Sequence, residues 1–144
     1  MVGDPPYRVC IDAGHGGSDP GARGAVEEKE MTAQTSEALL ALLEADPDYI
    51  PLLSRESYDV TAKPSERAEA INAQSPQLLL SIHGNSAPEG SAASGFECYP
   101  SVPGRTWHQE SYYFAQQLAQ GMQAAGAKLR GHGGIRYIYY QGEV

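Results

Sequence analysis

The fold of this chain is decided by Tyr7-Arg8-Val9-Cys10-Ile11-Asp12-Ala13-Gly14-His15-Gly16-Gly17. Tyr7 to Ile11 has the β-branched, apolar character of a buried strand. The glycines that follow allow backbone angles that a side chain would forbid, so the chain can break sharply and present one imidazole, that of His15. A second histidine has the same setting, because Leu78-Leu79-Leu80-Ser81-Ile82-His83-Gly84-Asn85 is another short apolar strand ending on His and Gly. Two histidines at the ends of two strands predict one shared sheet edge, and a metal is the usual reason for such convergence.

Outward from these strands the chain alternates strand and helix. A polar loop from Ala13 to Val26 precedes a helix over Glu27–Ala45, whose apolar face is read as Met31, Ala38, Leu39, Leu42 and Leu43. Pro47 ends that helix. Tyr49–Ser54 reads as a strand, placed at an edge by Pro51, and Ser65–Ala73 as a helix opened by Pro64. Gln77–His83 reads as the most buried strand. Gly95–Tyr99 is a further strand, His108–Ala125 a helix with a Phe114, Leu118, Met122 stripe, and Ile135–Tyr140 an aromatic strand. The order predicts an α/β fold: a single-domain sandwich with a mostly parallel or mixed sheet flanked by helices.

Composition narrows the function classes. With 144 residues the chain fits one domain. Its 10 basic and 18 acidic residues give a formal charge of −8, which argues against nucleic acid as a partner. The apolar runs are far short of a membrane span. Met1-Val2-Gly3-Asp4 lacks the basic start and apolar stretch of a secretory signal. An extracytoplasmic role therefore calls for delivery by a phage, another export route or a signal already removed. Cys10 and Cys98 lie in apolar runs and read as buried free thiols. Oligomeric state is left open by the sequence.

A hydrolytic zinc site takes three protein ligands and keeps one position for water. His15 and His83 supply two neutral imidazoles, and the third ligand should be anionic. Glu28 is the best placed, at the opening of the first helix, with Glu27 and Glu30 as local competitors. Two histidines and one carboxylate leave the metal partly positive, able to bring the pKa of a bound water toward about 7 and to polarise a carbonyl. Ser81 and Asn85 are candidates to orient His83, as metal-bound imidazoles require. His132, between glycines, and His108 read first as a loop and a solvent-facing residue, and Trp107 as a packing residue at a helix start.

Ile11 to Ala22, Glu28-Lys29, Leu53-Ser54-Arg55, Ser65 to Asn72, Leu80 to Ser86, Gly95-Phe96-Glu97-Cys98-Tyr99 and Arg130-Gly131 occur here in one order. In these motifs the chain resembles the zinc-dependent N-acetylmuramoyl-L-alanine amidases of the Amidase_3 type, catalytic domains of bacterial autolysins and phage endolysins. The resemblance spans nearly the whole chain. It implies that His15, Glu28 and His83 bind Zn2+. It also implies hydrolysis of the amide between the lactyl group of N-acetylmuramic acid and L-alanine of the stem peptide, so peptidoglycan at the bacterial cell wall is the implied substrate.

The resemblance further implies a glutamate that carries the proton as general base and acid. It is expected roughly ten residues beyond Val144, in a Val-Glu-x-Gly-Phe-like context that this chain does not contain. Glu143 is the nearest carboxylate and reads first as a solvated terminal charge. Residues 1–144 are therefore expected to form an amidase domain lacking the family's C-terminal segment. The alternative is a catalytically impaired, zinc-containing cell-wall recognition module, and a weaker third reading is a zinc peptidase acting on stem peptides.

Overall fold

β1 (Tyr7–Ala13) is the middle strand of a three-stranded parallel sheet in the computed structural model, between β2 (Tyr49–Leu53) and β3 (Leu78–Ile82). The structure describes residues 3–85, 89–131 and 133–138. These fall into two compact units, Val2–Ser86 and Ala87–Val144.

The first unit is α/β, as expected. Parallel neighbours need long crossovers, and here helices supply them: α1 (Glu28–Glu44) joins β1 to β2, and α2 (Pro64–Gln74) joins β2 to β3. The first crossover steps to one side of β1 and the second steps back across it. Right-handed connections therefore put the two helices on opposite faces of the sheet. Side chains of β1 agree with that placement. Arg8 donates to the Gln74 carbonyl and Asp12 lies 3.5 Å from Arg67 Nη1, so the even-numbered face of β1 looks toward α2. Alternation turns Val9, Ile11 and Ala13 the other way, toward α1.

Val9, Cys10, Ile11, Ala13 and Ile71 are buried, and burial of a side chain such as Ile11 contributes about 1.5–3 kcal/mol. Cys10 is a free thiol pushed up to about 11, mainly by burial and then by the nearby Asp12 carboxylate. The Cys10 side chain is fully buried in the core. Pro51 sits opposite Val9 in β2, whose other side carries no strand among the described residues, so its missing N–H costs the sheet nothing. α2 opens with Pro64, and the Glu66 carboxylate accepts the Lys63 backbone N–H at 2.9 Å.

Two expectations for this unit are corrected. The buried stripe of α1 is Glu28, Thr32 and Ser36, not the leucine-centred face, and Leu42 is 71% exposed. The reason is polar: the first turns of α1 face backbone groups leaving the sheet, and Thr32 Oγ1 donates to the Gly14 carbonyl at 2.6 Å. β3 is not the most buried strand either. It pairs only with β1 among the described residues, and Leu79 is 47% exposed, so an apolar run alone overstated its burial.

In the second unit α3 (His108–Ala124) matches the expected helix, but its buried residues are Ala115 and Ala119, not the expected stripe: Phe114 and Leu118 are half-buried and Met122 is 39% exposed. The expected strands at 95–99 and 135–140 reduce to single parallel bridges, Phe96 with Leu129 and Cys98 with Ile135, and residues 139–140 lie outside the described set. Glu97, between those bridges, accepts from Arg130 Nε at 3.0 Å, Arg136 Nη1 at 2.9 Å and the Tyr99 hydroxyl at 2.5 Å. Trp107 precedes α3 and is largely exposed, so it is not a packing residue. Among the described residues no helix is long and apolar enough to cross a membrane.

Candidate metal centre

Parallel pairing brings the C-terminal ends of β1 and β3 to one edge, and the register sets Ala13 opposite Ile82. The Gly14 N–H continues the ladder by donating to the Ile82 carbonyl at 2.8 Å, so His83 emerges beside Gly14. A side chain there would displace the imidazole: a Cβ on Gly14 would lie 2.4 Å from the His83 ring. His15 then adopts φ 64°, a left-handed conformation that turns its imidazole back over the strand ends. The two rings stand edge to face with centroids 5.1 Å apart.

Glu28 reaches the same point from the first turn of α1. The loop carbonyls of Ala22 and Pro20 accept the N–H groups of Glu28 and Lys29 at 2.8 and 3.1 Å, which fixes the helix start against the loop. The Glu28 carboxylate is buried, accepting from Ala22 N at 2.9 Å through Oε2 and from Gly84 N at 2.8 Å through Oε1. Its Oε1 lies 3.2 Å from His15 Nε2 and 3.4 Å from His83 Nδ1. Burial works to raise this carboxyl, but the two backbone donors and the two imidazoles together hold it below the ordinary carboxylate range.

The ligand-capable atoms of His15, Glu28 and His83 lie within 4.8 Å of one another. That cluster could hold a metal ion. Glu27 is drawn instead toward Arg23 and Lys29, each at 3.7 Å, and Glu30 is exposed.

One member of the site went unread in the sequence. Asp19 Oδ2 lies 2.9 Å from His15 Nδ1, and Asp19 Oδ1 accepts the Gly21 N–H at 3.0 Å. The His15 hydrogen bond, followed by that of Gly21, lowers the Asp19 carboxyl below its usual range. A signal was available: Asp19 is the one carboxylate between His15 and Glu27, and a ligating imidazole needs a partner on its far nitrogen. Ser81 does not orient His83, since its hydroxyl donates to Asp12 Oδ2 at 2.8 Å, and Asn85 is exposed. His108 is half-buried, its Nδ1 2.7 Å from the Ser101 carbonyl and its ring against Tyr112 and Tyr137. His132 and Glu143 lie outside the described residues.

The profile of the Amidase_3 family, described as N-acetylmuramoyl-L-alanine amidase, matches residues 9–137. The chain belongs to the Amidase_3 family. Among its relatives, the sporulation-specific N-acetylmuramoyl-L-alanine amidase of Bacillus subtilis (strain 168) is 38% identical over 93 residues, 64% of this chain and 35% of that protein. The endolysin of Bacillus phage SPP1 is 35% identical over 95 residues, 65% of this chain and 34% of that protein. This Amidase_3 chain thus spans about a third of the length of these curated relatives.

Solved structures agree on the α/β fold. The catalytic domain of CwlV, an N-acetylmuramoyl-L-alanine amidase from Bacillus (Paenibacillus) polymyxa var. colistinus, superposes with TM-score 0.73 at 29% identity, covering 93% of this chain and 71% of that one. The N-acetylmuramoyl-L-alanine amidase of Clostridium difficile 630 gives TM-score 0.77 at 28% identity, covering 90% of this chain and 68% of that one.

Proposed function

We propose that this Amidase_3 chain binds Zn2+ through His15 Nε2, Glu28 Oε1 and His83 Nδ1 and hydrolyses the amide between N-acetylmuramic acid and L-alanine in bacterial peptidoglycan. The observation that carries the reading is the spacing of the donor atoms. Tetrahedral zinc with bonds of about 2.0–2.2 Å holds neighbouring ligand atoms roughly 3.3–3.5 Å apart. Oε1 of Glu28 stands 3.2 Å and 3.4 Å from the two imidazole nitrogens. The chemistry of the donor set fits as well: two imidazoles, one ionised carboxylate and no thiolate.

Zinc held there would supply Lewis-acid polarisation of the scissile carbonyl and acidification of water. The protein's own groups prepare that site. Asp19 fixes the ring plane of His15 and favours the tautomer that leaves Nε2 free for the metal. Backbone N–H groups of Ala22 and Gly84 keep Glu28 ionised in a buried position, ready as an anionic ligand. His83, whose side chain is 43% exposed, leaves the site open to an extended substrate. A polymer such as glycan-linked peptide needs that access.

The test is mass spectrometry of a purified muropeptide incubated with the zinc-loaded chain. The expected product is free stem peptide beginning with the L-alanine amine. Cleavage within the stem peptide would assign a peptidase instead. Intact muropeptide with one zinc bound would leave a cell-wall recognition module. A Glu143→Gln variant measured alongside shows whether that carboxylate carries the proton.

A further inference from the structure

His15 stands in the left-handed region without being glycine, a strained conformation that persists only where surroundings enforce it. The enforcing group is identifiable. As the chain leaves β1, the carbonyls of Ala13 and His15 lose their strand partners, and both are taken by one guanidinium nitrogen, Nη2 of Arg55. The Ala13 contact is 2.8 Å. Arg67 Nη1 adds a second donor to Ala13 at 3.1 Å while lying 3.5 Å from buried Asp12.

Arg55 follows β2 directly after Ser54, whose N–H donates to the Ile11 carbonyl of β1 at 3.1 Å, so the guanidinium is anchored from the sheet. The segment beyond it also meets the loop, where the Gly17 N–H donates to the Tyr58 carbonyl at 3.1 Å. Bridging the carbonyls on either side of Gly14 sets the path of the backbone across that residue, and so the direction in which His15 leaves it. Burial and the neighbouring Arg67 cation both disfavour the charged guanidinium, which the fold nevertheless keeps in place.

From this geometry we infer that Arg55 is a positioning residue for the metal centre: its guanidinium clamps the Ala13 and His15 carbonyls and holds the His15 imidazole toward Glu28 and His83. The inference rests on the zinc-site reading above for its functional meaning, though the clamp itself can be measured without metal. Charge and geometry act in opposite directions here. A cation near a dication site repels it, so loss of the charge alone would tighten zinc binding, whereas loss of the clamp weakens it.

Arg55→Lys separates the two, because it keeps the charge but replaces a planar fork with a single point donor. Hydrogen exchange is read first, on metal-free protein. The Gly16 and Gly17 N–H groups, which donate to Asp19 and Tyr58 carbonyls at 2.8 and 3.1 Å, should exchange about tenfold faster in Arg55→Lys, with β1 amides unchanged. Zinc affinity is then read by competition with a chromophoric chelator, and should fall about tenfold. Ile71→Val, a buried change in α2, serves as the control for general destabilisation and should move neither reading.

Zinc affinity within twofold of wild type in Arg55→Lys overturns the inference, whatever the exchange rates. If wild-type protein binds no zinc, the zinc-site reading fails, and the Gly16 and Gly17 exchange rates alone then uphold or overturn the clamp. Should Arg55→Lys fail to fold, Arg55→Gln is read in its place. Weaker zinc binding despite the lost cation supports the clamp, and equal or tighter binding overturns it.

Discussion

Asp19 Oδ2 and His15 Nδ1 are 2.9 Å apart, and this contact spends one ring nitrogen so that the other faces Glu28. Removing it should loosen the proposed ligand without removing it. Asp19→Ala is expected to weaken zinc binding by about 10–100-fold, the range typical when the partner of a ligating imidazole is lost. Asp19→Asn, which can still accept from Nδ1, should recover part of the loss. Chelator competition on both variants checks the ordering.

His83→Ala should abolish stoichiometric zinc binding, because only two donors remain. Glu28→Ala should weaken binding far more than Glu27→Ala or Glu30→Ala. Glu28 is buried against both imidazoles, whereas Glu27 turns to Arg23 and Lys29 and Glu30 is exposed. Equal effects of the three alanine variants in titration calorimetry would refute the assignment.

Gly14→Ala should damage the site more than the fold. Its Cβ would fall 2.4 Å from the His83 ring, and that ring ends a partly exposed side chain free to swing away. The expected result is a Tm within a few degrees of wild type and zinc affinity lowered at least about tenfold, comparable to losing an orienting partner.

Zinc should stabilise the chain, since the three ligands proposed for it come from the loop after β1, the start of α1 and the end of β3. At free zinc about 100 times Kd, binding adds about 2.7 kcal/mol. Chelation should lower Tm accordingly, and by less in His83→Ala. Thermal melts with and without chelator decide this.

Acid should erode a contribution from Glu97. The Tyr99 hydroxyl first, then Arg136 and Arg130, hold its carboxyl below the usual range. A depressed folded pKa gives stability that is full above the unfolded value of about 4.3 and disappears as pH falls through the folded value. Glu97→Gln should therefore lower Tm by several degrees at pH 7, and the gap to wild type should close as pH falls from about 5 toward 3. A gap that stays constant across that range would show that the carboxylate charge contributes nothing.

Much of the fold was legible because it is written in short-range pattern. Apolar runs ending on glycine marked β1 and β3, Pro64 marked the start of α2, and Pro51 marked an edge strand. Side-chain pattern failed where burial depended on what lay opposite. Glu28 and Thr32 are polar because they meet the histidines and a carbonyl of another segment, which helical periodicity cannot reveal.

By itself, then, the sequence determined the strands, the helices and the two histidines that end β1 and β3, since these follow from residue types a few positions apart. Only the tertiary structure decided which glutamate stands between the histidines, that Asp19 holds His15, and that Arg55 grips the turn beneath it. Those relationships depend on the parallel register of Ala13 with Ile82 and on where carbonyls point once a strand has ended. Arg55 lies 42 and 40 positions from the Ala13 and His15 carbonyls it grips, and no local pattern encodes that meeting.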